Sequence, residues 1–80
     1  MFVNKAPDGS NNLCGRQVAR LRSAAGLSQR ELADLMQLRG LTIDKNAIQR
    51  MESGQRFVTD VELPHLAAVL NVTVEALLAP

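Results

Sequence analysis

One local pattern recurs four times along the 80-residue chain and strongly limits its fold. Each copy has an apolar residue, then Ser, Thr or Asp, then three residues and a second apolar residue. A Ser, Thr or Asp side chain in this position accepts a hydrogen bond from the first turn of a helix, and the two apolar residues pack across that turn. The copies are Leu27-Ser28 with Leu32, Ile43-Asp44 with Ile48, Val58-Thr59 with Leu63, and Val72-Thr73 with Leu77. The pattern therefore predicts four helix starts.

Residues that end helices lie in the matching places. Glycine and asparagine adopt the left-handed conformation that closes the last turn of a helix. Such residues are Gly26, Gly40, Gly54 and Asn71. An apolar stripe before the first of them adds one more helix, so the predicted helices are 13–25, 28–38, 44–53, 59–70 and 73–79. No stretch alternates as a strand does, and the predicted fold class is all-α, a compact five-helix domain.

Pro64 lies inside the fourth predicted helix and disturbs its first turn. Proline has no N–H to donate to the carbonyl of Asp60, one turn earlier. We therefore expect a loosened or 3₁₀-like first turn in this helix.

The first twelve residues differ from the rest of the chain. They contain Pro7, Gly9 and several polar residues, and they have no apolar period. Such a segment is typical of a flexible N-terminal tail. The domain itself is predicted to span residues 13–79.

Composition excludes several classes of protein. No apolar run approaches the roughly 18 residues of a membrane span, and no signal peptide is recognisable, so we expect a cytoplasmic protein without a membrane partner. One cysteine, Cys14, is too few for a disulfide within the chain or a zinc site. His65 has no partners at ligand spacing, and no catalytic set of residues is recognisable. We expect no enzyme, no metal, no cofactor and no small-molecule ligand.

Charge is distributed unevenly along the chain. Residues 1–56 hold nine basic and five acidic residues, a net charge of +4, whereas residues 57–80 hold three acidic residues and no Lys or Arg. A basic front and an acidic back allow a nearly neutral domain to face a polyanion with one side.

The third predicted helix has a face that suits DNA. At about 100° per residue, one side collects the polar residues Lys45, Asn46, Gln49, Arg50 and Ser53. These five residues are called the polar face below. Arg and Lys can donate to guanine, Asn and Gln can pair with adenine, and a helix fits the major groove. A solvated helix usually mixes Glu with Lys, and the lack of acid on this face favours DNA.

Two charged residues flank the apolar sides of neighbouring helices. Arg22 lies beside the apolar stripe of helix 1, and Glu52 lies at the edge of the apolar side of helix 3. We expect them to form a partly buried ion pair that orients helix 3, although unrelated surface charges remain an alternative.

Three segments together resemble the Cro/repressor-type helix-turn-helix domain, also described as XRE-like or lambda-repressor-like. They are residues 26–33 (GLSQRELA), residues 48–56 (IQRMESGQR), and Leu70-Asn71-Val72-Thr73 with Leu77-Leu78. The resemblance covers about residues 13–79. It implies a DNA-binding domain of a bacterial or phage transcription regulator, commonly dimeric, in which helices 2 and 3 form the helix-turn-helix.

The resemblance also implies roles for individual residues. Gln29 would meet a phosphate and brace the recognition helix, Lys45, Asn46 and Arg50 would reach base edges, and Gln55 and Arg56 would touch the DNA backbone. Arg22 and Glu52 match the buried ion pair of the family. The complete set of predicted DNA-binding residues is Ser28, Gln29, Arg39, Lys45, Asn46, Gln49, Arg50, Gln55 and Arg56.

The turn between helices 2 and 3 departs from the family pattern. Six residues lie between Met36 and Ile43, where the family has about one. We expect Gly40 to end helix 2, Leu41 to enter the core, and Arg39 to approach the phosphate backbone.

The partners are double-stranded DNA and a second copy of the chain. Helix 5 offers Val74, Leu77 and Leu78, more apolar surface than a single terminal turn can bury, and we expect part of it to form a dimer contact. The alternative function is a protein–protein interaction adaptor or antitoxin-like partner, in which the acidic helix 4–5 surface would bind and helix 3 would only be solvated.

Overall fold

The computed structural model describes residues 5–79, which form five α-helices and no strand. The helices are α1 (Gly15–Ala24), α2 (Gln29–Leu38), α3 (Lys45–Glu52), α4 (Glu62–Leu70) and α5 (Val74–Leu78). The predicted all-α, five-helix fold is therefore confirmed. Four helices begin within two residues of their predicted starts, and α4 begins three residues late.

Three of the four predicted helix starts have the expected caps. The Ser28 hydroxyl accepts from the Glu31 N–H at 3.0 Å, and the Glu31 carboxylate accepts from the Ser28 N–H at 2.9 Å. The hydrogen bond from the Ser28 backbone N–H, together with the Ser28 side chain, lowers the pKa of the Glu31 carboxyl. The Asp44 carboxylate accepts from the Ala47 N–H at 2.7 Å, and the Thr73 hydroxyl caps α5 in the same way.

The start of α4 was predicted three residues too early. Thr59 and Glu62 exchange the two bonds of a capping box, at 2.9 and 3.3 Å, but residues 60 and 61 form a turn instead of helix. The Thr59 carbonyl accepts from both the Glu62 and the Leu63 N–H, so the expected 3₁₀-type bond is present. Because the helix begins at Glu62, Pro64 falls in its first turn, where a missing N–H costs no hydrogen bond.

The core is formed where α1, α2, α3 and α4 meet, and α5 covers one side of it. Its largest fully buried side chains are Val18, Leu32, Met36, Ile43, Ile48, Met51, Leu66 and Leu77, together with Cys14. The apolar side of α3 faces α2 and α1, as its sequence predicts. Burial of this side leaves the polar face outside.

The segment before α1 differs from the flexible tail that we expected. Residues 5–12 include a turn in which the Ala6 N–H bonds the Ser10 carbonyl at 2.8 Å. The residues after this turn, Asn11 and Asn12, form hydrogen bonds with residues 51–56 at the end of α3. Local patterns do not reveal such contacts, because the bonded residues are about 40 positions apart. Residues 1–4 of the predicted tail lie outside the described residues.

Residues 5–79 contain neither a helix that could span a membrane nor a cluster of side chains that could bind a metal ion. None of the five helices is long and apolar enough to cross a membrane. No cluster of three or more His, Cys, Asp or Glu side chains in this range could hold a metal ion.

Candidate nucleic-acid interface

The polar face of α3 and of its C-cap residue is open to solvent. All five of its residues are exposed. The side chains of Lys45, Asn46, Gln49 and Arg50 make no hydrogen bond or ion pair with another residue in the range 5–79, so their donors and acceptors can bind a ligand. The Ser53 hydroxyl donates to the Arg50 carbonyl at 3.1 Å and extends the last turn of the helix.

A cluster of three side chains holds α3 against the preceding two helices. Arg22 on α1 donates to both carboxylate oxygens of Glu52, through Nε at 2.6 Å and Nη2 at 3.1 Å. Gln29, the first residue of α2, donates its Nε2 to Glu52 Oε1 at 3.0 Å. The side chains of Arg22 and Glu52 are 16% and 7% exposed. One carboxylate therefore joins α1, α2 and α3, and its charge is matched within the protein.

The remaining donors of this cluster have defined partners too. Arg22 Nη1 donates to the Leu27 carbonyl at 2.8 Å, in the turn between α1 and α2. The bond to Glu52 raises the pKa of Arg22. Gln29 is half-buried, and its amide serves the brace that the family resemblance implied.

The start of α2 offers backbone donors next to this cluster. Ser28 and Glu31 cap each other, but the backbone N–H groups of Gln29 and Arg30 have no acceptor among residues 5–79. The free N–H groups at a helix N-terminus attract anions, and phosphate in particular. Ser28 is exposed at the same helix end.

Arg56 is bound to a carboxylate, a contact that the sequence did not predict. Its Nη1 and Nη2 atoms donate to Glu62 Oε1 and Oε2 at 3.0 and 2.8 Å, and Nη1 also donates to the Phe57 carbonyl at 3.0 Å. The bond to Arg56 lowers the pKa of Glu62 although burial opposes the shift, and the same bond raises the pKa of Arg56. A guanidinium has five N–H donors. Nε–H and one Nη2 hydrogen therefore stay available on one edge of Arg56.

The long turn between α2 and α3 is ordered by local bonds. Gly40, at a φ of +87°, follows the end of α2, and Leu41 is half-buried against the core, both as expected. Gln37 Nε2 donates to the Ile43 carbonyl at 2.9 Å. Arg39 is exposed and donates its Nε to His65 Nδ1 at 2.9 Å, so α4 fixes the direction of this side chain.

Helix α5 presents less apolar surface than its sequence predicted. Leu77 is fully buried, because α5 packs against α1 and α4. Leu77 therefore belongs to the core, and our assignment of this residue to a dimer contact was wrong. Leu78 is 42% exposed and Val74 is half-buried. Of the three residues predicted for a dimer contact, only these two stay accessible to a partner.

Three residues that contact the candidate interface were not predicted by the sequence analysis. Asn11 and Asn12 bond the end of α3, and Glu62 holds Arg56. Glu62 gave a partial signal, since its place in the capping box with Thr59 was visible in the sequence. Asn12 gave a weak signal, because an asparagine directly before a predicted helix is typical of a helix cap. In the structure its Oδ1 accepts from the Gly15 N–H at 2.8 Å.

Comparison with known proteins supports a nucleic-acid interface. A family model described as a helix-turn-helix domain matches residues 14–79. A similar solved structure is the crystal structure of the restriction-modification controller protein C.AhdI from Aeromonas hydrophila. It is 38% identical over 79% of this chain and 84% of that chain, with a TM-score of 0.68. Among curated proteins, none matches this chain.

Proposed function

The chain belongs to the helix-turn-helix family of DNA-binding domains, and we propose that it regulates transcription by reading a specific double-stranded sequence with α3. The observation that carries this proposal is the polar face: five exposed residues without a carboxylate, on a helix whose own carboxylate, Glu52, is turned inward and paired with Arg22. The carboxylate of Asp44, directly before the helix, is engaged as its cap by the Ala47 N–H. A helix of this kind can enter the major groove without placing a negative charge against the bases.

Base recognition is assigned to the residues of α3 whose side chains are unoccupied. Arg50 and Lys45 can donate to the O6 and N7 atoms of guanine, and Asn46 and Gln49 can pair with the N6 and N7 atoms of adenine. Each bidentate contact of this type discriminates against a wrong base by about 1–3 kcal/mol. Because these side chains are not engaged within the protein, base contacts would not have to displace an internal bond.

Contacts with the phosphate backbone of the DNA are assigned to residues on both sides of α3. The N-terminal end of α2, with Ser28 and Gln29, would bind one phosphate through its free N–H groups. Gln55 and the free edge of Arg56 would bind a second. Arg39, held by His65, keeps its Nη groups for a third. Such contacts set the register of the protein on the duplex and carry no sequence information themselves.

We infer that the protein binds as a dimer. One small module reads few base pairs, and two copies on half-sites about 34 Å apart would supply useful specificity. The exposed part of α5, with Val74 and Leu78, is the proposed contact between copies. The similarity to a restriction-modification controller protein makes control of such a system's genes the first biological role to examine.

Selection of bound sequences from a random duplex library tests this proposal. We expect an enriched pool with two related half-sites, bound more tightly than scrambled duplexes at the same salt concentration. A protein-interaction adaptor would enrich no sequence, and this outcome would overturn the proposal. Sedimentation of the protein, free and with a two-half-site duplex, tests the dimer, and a monomer in both states would contradict it.

A further inference from the structure

The C-terminal end of α3 is closed by residues from the beginning of the chain. Asn12 donates both hydrogens of Nδ2, to the Met51 carbonyl at 3.0 Å and to the Arg56 carbonyl at 2.7 Å. Its Oδ1 accepts from the Gly15 N–H at 2.8 Å, at the first turn of α1. A single half-buried amide thus uses its two donors and its acceptor to tie the start of α1 to the end of α3.

Asn11 adds two bonds to the loop that directly follows α3. Its backbone N–H donates to the Gly54 carbonyl at 2.8 Å, and its Nδ2 donates to the Gln55 carbonyl at 3.0 Å. Lys5 donates in turn to Asn11 Oδ1 at 3.0 Å. Of the carbonyls that these two asparagines bond, that of Met51 lies in the last turn of α3, and those of Gly54, Gln55 and Arg56 lie in the loop that follows it. The asparagines therefore hold the end of the helix and the following loop together.

Two glycines, Gly15 and Gly54, lie where the beginning of the domain meets α3 and the loop after it. Gly54 has a φ of +80°, and a Cβ atom on it would lie 2.5 Å from the Ser10 Cβ. A Cβ atom on Gly15 would collide with the Met51 carbonyl. Glycine at both positions lets the segment before α1 and the turn after α3 meet without an intervening side chain.

We propose that residues 10–12 form a clamp that positions the C-terminal end of α3 on DNA, with Asn12 as the positioning residue. This inference rests on the proposed function. Arg50 and Ser53 lie in the last turn of the polar face, and Gln55 and Arg56 follow it directly, so the clamp holds the part of the interface where base contacts pass into backbone contacts. Binding sites need their groups held to within about 0.5 Å. The other end of α3 is capped by Asp44 from within its own chain segment.

The clamp can be tested with two substitutions of Asn12 and one control. Asn12→Ala removes all three bonds. Asn12→Ser keeps a hydroxyl that can accept from the Gly15 N–H but cannot reach both the Met51 and the Arg56 carbonyl. Leu70→Val trims a buried side chain of α4 and lowers stability away from α3. Circular dichroism fixes a temperature at which all proteins are fully folded, and binding is measured there with the selected duplex and a scrambled one.

Both Asn12 variants should bind the selected duplex about tenfold more weakly than the wild type does, while their affinity for the scrambled duplex changes less than about twofold. The slope of log K against log salt should be unchanged, because no charge is removed. Leu70→Val should keep the ratio between the two duplexes. The clamp would be overturned if the Asn12 variants kept the wild-type ratio between the affinities for the selected and the scrambled duplex, for example by losing affinity equally for both. Wild-type selectivity in Asn12→Ser alone would overturn it too.

Hydrogen exchange of the free protein provides a second test that needs no DNA. The N–H groups of Gly54, Gln55 and Arg56 bond carbonyls of α3, and they should exchange faster in Asn12→Ser while the amides of α2 do not. Unchanged exchange would overturn the clamp whatever the DNA experiment gives. A wild-type protein that selects no sequence would instead remove the proposed function, and the inference with it.

Discussion

Two arginine–glutamate pairs hold the helix-turn-helix, and they hold it over very different distances along the chain. Arg22 and Glu52 are 30 positions apart and join α1 to α3, with Gln29 of α2 as a third member. Arg56 and Glu62 are six positions apart and close the connection between α3 and α4. Both pairs are bidentate, and both carboxylates are largely buried.

The difference lies in what each pair can control. The long-range pair fixes α3 relative to two other helices, so it decides which way the polar face points. The short-range pair fixes the loop that follows α3. Because desolvation offsets much of the attraction in a buried pair, neither pair is a large net source of stability, but loss of one partner leaves a charge without compensation.

Removal of Glu52 is the change with the largest expected effect. In Glu52→Ala the mostly buried Arg22 loses its partner and Gln29 loses its acceptor. We expect the free energy of unfolding to fall by about 3–5 kcal/mol, as measured by urea denaturation. The double variant Arg22→Met with Glu52→Met removes both charges and should recover much of the stability but not the DNA selectivity. A Glu52→Ala protein as stable as the wild type would contradict an orienting role for the pair.

Arg50 provides the comparison with Arg22 and Arg56, because it has no ion-pair partner among residues 5–79. Arg50→Ala should leave the free energy of unfolding within about 0.5 kcal/mol of the wild type. It should cost about 1–3 kcal/mol in binding and relax the preference at one base position. Binding to a set of single-base operator variants measures this effect. An unchanged ratio between selected and scrambled duplexes would show that Arg50 does not read a base.

Removal of Glu62 should have a smaller effect than removal of Glu52. Arg56 is 26% exposed, so solvent can compensate its charge in Glu62→Ala. We expect a loss of about 1–2 kcal/mol in unfolding free energy and little change in the ratio between selected and scrambled duplexes. If Glu62→Ala lowered this ratio as much as Glu52→Ala does, the distinction between the two pairs would be lost.

The smallest expected effect is the response of the short-range pair to acid. The bond from Arg56 holds the pKa of Glu62 below its ordinary value of 4.5. A carboxyl whose pKa is lower in the folded than in the unfolded state contributes its full stabilisation of the fold at pH values above the unfolded pKa. This contribution is lost as the pH falls through the folded-state pKa. The difference in melting temperature between the wild type and Glu62→Gln should be constant above about pH 5.5 and shrink below about pH 4.5. Glu75→Gln, on the exposed side of α5, is the control, and a difference that widens in acid would contradict the sign.

Local features of the fold could be predicted from the sequence, and long-range ones only partly. The caps at Ser28, Asp44 and Thr73 each depend on residues three positions away, so the sequence alone places them. The solvent exposure of the polar face follows from the helical period of α3. The Arg22–Glu52 contact was predictable because each residue flanks an apolar stripe, and burial of the two stripes brings the flanks together.

The error at Leu77, and the contacts of Arg56, Asn11 and Asn12 that the sequence analysis did not predict, came from packing that no local pattern records. Leu77 belongs to an apolar terminal turn, and the sequence does not say that α1 and α4 leave room for it in the core. Arg56 follows α3 in a basic segment, and only the path of the α3–α4 connection brings Glu62 to it. Asn11 and Asn12 lie in a polar segment without periodicity, which resembles any flexible tail.

The amino-acid sequence by itself determined the number of helices, most of their ends, and the chemical character of the side of α3 that faces solvent. Each of these depends on interactions within one or two helical turns. Only the tertiary structure decided which groups hold the loop after α3, that Arg56 is engaged by Glu62, and how much of α5 stays exposed. These outcomes depend on hydrogen bonds and packing between residues up to 44 positions apart, and such pairs form only after the core has brought their helices together.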